Sequence, residues 1–308
     1  MSTGALLEHL NLNVIDKETA RAFYVDVLGG AMNPITTNQR QVHVNFGISQ
    51  FHLPFKRTAK LMDPVVDAQE WNGDVSLSTT MSKSELLSRA EKSKYAKVIE
   101  VSSDFVKIQG PYGNIFSLFF LKQENVPDLK SKYRCHAGGY AATVLLNRAR
   151  HFVLPSNAEK IAGYYRDVLG FKVVQDRKGI VKIPFGLPGV KMQQQMLIFE
   201  ENEEEADSKP DAYDRIEKRG YHVAIYFDSH DKFLSAFDRC QRLGNIYENK
   251  RFVGMAPEFA SSMTRKQADE TGQFRIKDLI DPKTKELALV LEHEIRSPRH
   301  RCCPFVTL

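Results

Sequence analysis

One octapeptide pattern occurs twice in the chain. Residues 23–30 read FYVDVLGG and residues 164–171 read YYRDVLGF, sharing the core aromatic-Tyr-x-Asp-Val-Leu-Gly. Upstream of each lies a short apolar run with one histidine, His9 in LEHLNLNV and His151 in ARHFVLP. A repeat of this kind restricts the fold to one that can be built twice from the same plan. The length of 308 residues fits two domains of roughly 100–200 residues each.

The repeat can be read strand by strand. LEHLNLNV alternates apolar with polar residues, the period of a strand. Asp16 is placed to cap the next segment, with Glu18 in its first turn. KETARAFYVDVLG then repeats apolar residues at helical spacing and stops at Gly29, a C-cap residue; Gly170 holds the same place in the second copy. Tyr24 and Tyr165, inside the shared turn, are expected to pack rather than to react. QVHVNFG and SQFHLPF continue as strands, and GDVSLST, SKSELLSRAEK, KVIEV, FVKIQG and NIFSLFFL repeat the order. The second half follows with ARHFVLP, NAEKIAGYYRDVLG, FKVVQ, GIVKIPFG, QQQMLIFEE, GYHVAIYF, HDKFLSAFDRCQRLG, QFRIKDLID and KELALVLEHEI. The pattern is α+β: a β-α-β-β-β unit used four times. A unit with one helix and one bare sheet face needs a partner to bury a core. The expected layout is an N-terminal domain over 1–122, a connector over 123–148, a C-terminal domain over 149–296 and a basic tail over 297–308. EENEEEADSKPDAYD reads as a solvated loop. FVGMAPEFASSMTRKQADETG reads as either a lid or a disordered insertion.

Composition removes several classes. The net charge is +5, from 43 basic and 38 acidic residues that are scattered apart from Arg296, Arg299 and Arg301. A nucleic-acid binder shows a denser basic stripe. No apolar run approaches the roughly 18 residues of a membrane helix, and MSTGALLEHL lacks the pattern of a secretory signal. Cys135, Cys240, Cys302 and Cys303 form no CxxC, so neither a zinc site nor a disulfide framework is indicated. The expected setting is the cytoplasm or an organelle interior. The CCPF tail reads as frayed, since Cys303 does not fit a prenylation box.

Four β-α-β-β-β units, the Tyr-x-Asp-Val-Leu-Gly turn and a histidine in the first strand of each half resemble the vicinal oxygen chelate superfamily. This group includes glyoxalase I, extradiol dioxygenases, fosfomycin-resistance enzymes and bleomycin-binding proteins. The resemblance covers residues 7–121 and 149–295. It implies two glyoxalase-like half-barrel domains, each with metal ligands on the first and last strands of paired units and open coordination positions for two substrate oxygens.

Carried over position by position, the resemblance implies metal ligands at His9, His52 and Asp74 in the first half. Ser117 falls where relatives have a glutamate. In the second half it implies His151 and His222, with one of Gln193–Gln195 closing the third unit. The expected glutamate falls on Ala288, with Glu286 and Glu292 on the same strand face. His43 and His136 have no such positional support and are read as structural. A two-His-one-carboxylate face suits Fe(II), Mn(II) or Zn(II), and Ni(II) is a further choice.

Three functions follow. The first is a metal-dependent lyase, isomerase or dioxygenase acting on a small oxygenated metabolite. The second is a binding module without chemistry, its cup enlarged by Ser117 and Ala288 and lined by Phe46, Phe116, Phe119 and Phe120. The third is a scaffold subunit whose metal positions have decayed. The expected partner is a small molecule rather than nucleic acid or membrane, and the chain is a monomer or homodimer.

Overall fold

The computed structural model describes residues 4–55, 67–122, 136, 138–139, 141–186, 195–207, 209–217, 220–252 and 261–305. The strands lie in two mixed sheets, of seven and eight strands. The chain divides into two compact units, one over 9–150 and the other over 1–8 and 151–308.

The 9–150 unit opens in the second half of β1 (Ala5–Asn11). The Asp16 carboxylate accepts from the Thr19 amide at 2.7 Å, starting α1 (Lys17–Ala20) where the sequence places a cap. The helix widens into π-type turns over Arg21–Val27 and ends at Gly29, whose φ of +73° suits glycine. β2 (Ala31–Met32), β3 (Gln41–Phe46) and β4 (Ser49–Pro54) follow. β4 returns to lie parallel beside β1, pairing His9 with Gln50 and Asn11 with His52. The second repeat has the same plan: β5 (Gly73–Thr79), α2 (Lys83–Lys92), β6 (Lys97–Val101), β7 (Phe105–Gln109) and β8 (Ile115–Phe120). β8 again lies parallel beside β5. This return is what matters for function, because it puts the first and last strands of a repeat side by side.

Phe23, Tyr24, Phe46, Phe51 and Phe116 form the aromatic core of this unit, with ring centroids 5.2–5.9 Å apart. Phe46 and Phe116 are fully buried there and line no cup. Phe119, on the opposite parity of β8, is half-buried.

The other unit contains the end of β9 (Thr143–Val153), then α3 (Ala158–Gly163), which also widens into π-type turns over Tyr164–Leu169. Gly170 closes it at φ +80°. β10 (Val174–Arg177), β11 (Ile180–Phe185) and β12 (Gln195–Glu201) form an antiparallel run. The last repeat comprises β13 (His222–Phe227), α5 (His230–Arg242), β14 (Gln273–Ile280) and β15 (Leu287–Arg296), with β13 and β15 parallel. Its described residues hold three strands rather than four. Tyr165, Phe171, Phe199, Phe227, Phe233 and Phe274 are in its core.

Four segments differ from the sequence reading. β9 begins at Thr143, inside the expected connector. The expected solvated loop contains α4 (Lys209–Glu217), whose Ala212 and Ile216 pack on Val290. The long insertion carries α6 (Arg265–Thr271), with a capping box between Thr264 and Gln267; residues 253–260 lie outside the described residues. The tail is not frayed over its described length, since Ser297, His300 and Phe305 are buried. Tyr226 donates its hydroxyl to His300 Nδ1 at 2.7 Å, and Phe305 packs on the Tyr226 ring. No described helix is long and apolar enough to cross a membrane.

Candidate metal centre

In the unit holding 151–308, β13 and β15 run parallel in a register that pairs His222 with Glu292 and Ala224 with Glu294. Even-numbered residues of β15 share a face, so Glu292 and Glu294 stand together while His293 points the other way. All are buried. His222 Nε2 lies 3.4 Å from Glu294 Oε2. The other ring nitrogen, Nδ1, is 2.6 Å from the Gly220 carbonyl oxygen, which fixes it as the protonated one. Nε2 is thereby the nitrogen that faces the carboxylate oxygen. Two acceptors face each other comfortably only across a positive centre, a proton or a metal cation. Their spacing suits two ligands on one ion with bonds of about 2.0–2.2 Å.

Charge around Glu294 points the same way. Arg275 Nη2 bonds Glu294 Oε2 at 2.7 Å, and Arg296 bonds Glu294 Oε1 at 2.5 Å. Arg275 Nη1 also donates to Glu292 at 2.5 Å, and Arg296 Nη1 to Glu8 at 3.2 Å. Glu292 is further held by Asn249 Nδ2 at 2.7 Å. The described contacts thus gather three carboxylates and two guanidiniums in one buried bed, with Glu294 at its centre.

The nearby histidines are of a different kind. His293 bonds the Leu291 carbonyl through Nδ1, and its Nε2 accepts from the Tyr165 hydroxyl. Burial pushes it down to about 4, so it is neutral at pH 7. Tyr165 is thus both a packing residue and the donor that fixes this ring. His151 is also held down at about 4, mainly by burial, and its Nδ1 bonds the Phe152 carbonyl at 2.8 Å.

In the 9–150 unit, His9 on β1 stacks on His52 of β4 with ring centroids 3.6 Å apart. His43 of β3 stacks on the other side of His52 at 3.7 Å, in direct cross-strand register. His52 Nε2 is 3.0 Å from Gln50 Oε1, which leaves Nδ1 as the ring's lone-pair nitrogen. The ligand atoms of His9 and His52 lie within 4.8 Å of each other, as do those of His222 and Glu294. His9 and His52 are therefore brought together as the sequence reading expects, and His43 joins a stack that it did not foresee.

The remaining expectations fare differently. Asp74 pairs with Arg150, through Nε at 2.9 Å and through Nη2, and belongs to no described group of candidate ligands. Gln195 bonds both backbone groups of Leu7, at 3.1 and 2.8 Å, and so serves the sheet; Gln193 and Gln194 lie outside the described residues. Glu286 is exposed and pairs with Lys160. Ala288 and His151 line a small cavity together with Asp207, Ala212 and Val290. The buried carboxylate that does stand beside His222 is Glu294, in the same LEHEI run as Glu292. Strand parity alone marks it, since it lies six residues beyond Ala288 on the same face.

The chain is an α+β protein of related strand–helix repeats, matching two glyoxalase-like domains. It aligns over 95% of its length with 92% of glyoxalase I from Zea mays, at a TM-score of 0.55 and 12% identity. A candidate dioxygenase from Bacillus subtilis subsp. subtilis str. 168 aligns over 97% of this chain and 86% of its own, at a TM-score of 0.53 and 12% identity. At such identities the likeness is one of fold. Residues 148–253, about a third of the chain, match the family described as the Glyoxalase/Bleomycin resistance protein/Dioxygenase superfamily. No curated protein matches the chain.

Proposed function

We propose that the chain is a metal-dependent enzyme of this superfamily, a lyase, isomerase or dioxygenase acting on a small oxygenated molecule. The observation that carries this reading is the His222 Nε2 to Glu294 Oε2 approach of 3.4 Å, with the opposite ring nitrogen fixed by Gly220. His222 and Glu294 would hold a divalent cation, Fe(II), Mn(II), Zn(II) or Ni(II). His9 and His52 are the second pair disposed to ligate. Asp74 and His151 take no part. A bound cation would supply Lewis acidity toward neighbouring substrate oxygens.

The chain's own groups prepare that role. The Gly220 carbonyl holds His222 in the tautomer that ligates through Nε2. Arg275 and Arg296 fix both oxygens of Glu294 and spread its charge. Burial excludes water, which strengthens each of these contacts. The reading also entails a small-molecule substrate and a reducing compartment, in keeping with the free thiols of Cys240, Cys302 and Cys303.

Elemental analysis of the full chain, as purified and after incubation with each ion, tests the proposal. One ion per chain is expected, with affinity lowered about 10- to 100-fold by His222→Ala. Asp74→Asn is expected to change nothing. A wild-type chain that stays metal-free with all four ions removes the reading.

A further inference from the structure

One guanidinium holds the same carboxylate oxygen that the His222 ring faces. Arg275 of β14 stands directly across from Glu294 in the antiparallel register of β14 and β15. It is only 4% exposed. Its fork spans two carboxylates: Nη2 bonds Glu294 Oε2 at 2.7 Å, and Nη1 bonds Glu292 Oε1 at 2.5 Å. Glu294 Oε2 is also the oxygen 3.4 Å from His222 Nε2. Guanidinium and imidazole therefore converge on one oxygen, whereas Arg296 takes the other, Oε1.

The surroundings of Arg275 give it a second place to rest. The Phe252 ring lies against the guanidinium, its centroid 4.9 Å from Cζ. Asn249 Nδ2 donates to Glu292 Oε1 at 2.7 Å, so that carboxylate is held whether or not Arg275 also bonds Glu294. An arginine that gives up Oε2 thus keeps a charged partner and an aromatic face. A divalent ion on Glu294 Oε2, with a bond of about 2.0–2.2 Å, would compete with Nη2 for that oxygen. It would also repel the guanidinium, and like charges oppose each other far more strongly in a buried setting than in water.

We infer that Arg275 is a built-in counter-cation of the His222–Glu294 centre: it takes the place of a divalent ion at Glu294 Oε2 and opposes that ion's binding. The inference rests on the reading of His222 and Glu294 as metal ligands, and it adds to that pair a positioning residue that sets the affinity. An entering ion pushes Arg275 back onto Glu292. Removing the positive charge of Arg275 therefore tightens metal binding. A purely structural arginine would have the opposite effect, since its loss only loosens the bed.

Mn(II) is the probe, because carboxylate ligands suit it and thiolates prefer softer ions. It is titrated by calorimetry into the full chain after metal and chelator have been dialysed away. Arg275→Gln is expected to bind Mn(II) at least about tenfold more tightly than wild type, and Arg275→Lys, which keeps the charge, within about threefold of wild type. Adding His222→Ala to Arg275→Gln is expected to abolish the gain. Without metal, Arg275→Gln is expected to melt below wild type, because Glu292 and Glu294 lose the cation they share. Saturating Mn(II) is expected to raise its melting temperature by more than it raises that of wild type. Mn(II) binding by Arg275→Gln but not by wild type supports the inference. Equal affinity in the two chains, binding by neither, an equal gain in Arg275→Lys, a gain that survives His222→Ala, or an Arg275→Gln chain that stays unfolded with saturating Mn(II) would each overturn it. Elemental analysis of the wild-type chain decides separately whether any ion is held, so the inference and the metal reading fail on different measurements.

Discussion

Strands β15 and β8 hold the same place in their repeats and carry opposite chemistry. Each is a last strand, lying parallel beside the first strand of its repeat, β13 or β5. Each is paired on its other side with an antiparallel strand that contributes a cation. On β14 that cation is Arg275, opposite Glu294; on β7 it is Lys107, opposite Ser117. Where the cation is a buried guanidinium, the last strand offers a carboxylate and the two lock together at 2.7 Å. Where it is a lysine, the ammonium turns to the edge-strand Glu100 and the last strand offers a hydroxyl. A buried acid survives only with a forked, permanently charged partner. The difference between a carboxylate floor and a hydroxyl floor is therefore set by a pair of residues across two strands, not by one.

That pairing can be broken from either side. Glu294→Gln should have the largest effect, because it leaves Arg275 and Arg296 short of one buried negative charge. A loss of about 3–5 kcal/mol is expected in urea unfolding. The end of β15 also carries a pH dependence that β8 lacks. Burial, helped by the Arg296 charge, holds His300 down at about 3. The unfolded ring titrates near 6.5, so between these values the folded chain binds fewer protons than the unfolded one. Stability is then full above about pH 6.5 and falls on acidification toward pH 3, by about 1.4 kcal/mol per unit from this group. His300→Gln should remove that contribution when unfolding is compared at neutral and acidic pH.

Converting β8 toward β15 is a smaller perturbation. Ser117→Glu puts an acid opposite Lys107, which is half-buried and can turn to meet it. A loss of about 1–2 kcal/mol is expected, with no metal gained, since no described histidine pair stands on β5 or β8. Ser117→Ala should be the smallest change, within about 0.5 kcal/mol, because its hydroxyl bonds no described residue. A large loss there would mean that Ser117 holds the sheet together after all.

Much of this was legible in the chain itself. Asp16 caps α1, Gly29 and Gly170 end their helices at positive φ, and the alternating runs are strands. His9 and His52 do meet. The failures share one cause. Phe46 and Phe116 belong to the core rather than to a cup, since strand alternation gives two faces without saying which is the core. Spacing along the chain points to Ala288, and only the parallel register with β13 brings Glu294 to His222. The tail looked dispensable because nothing local shows that His300 and Phe305 find Tyr226.

Local rules thus settled what needs only neighbours along the chain: turns, caps, the period of each strand and the fourfold plan. Tertiary structure alone decided which charges share a bed. The reason is geometric: a parallel return places residues some 70 positions apart, such as His222 and Glu294, side by side, and their chemistry depends on a register fixed by the packing of the whole sheet rather than by either strand.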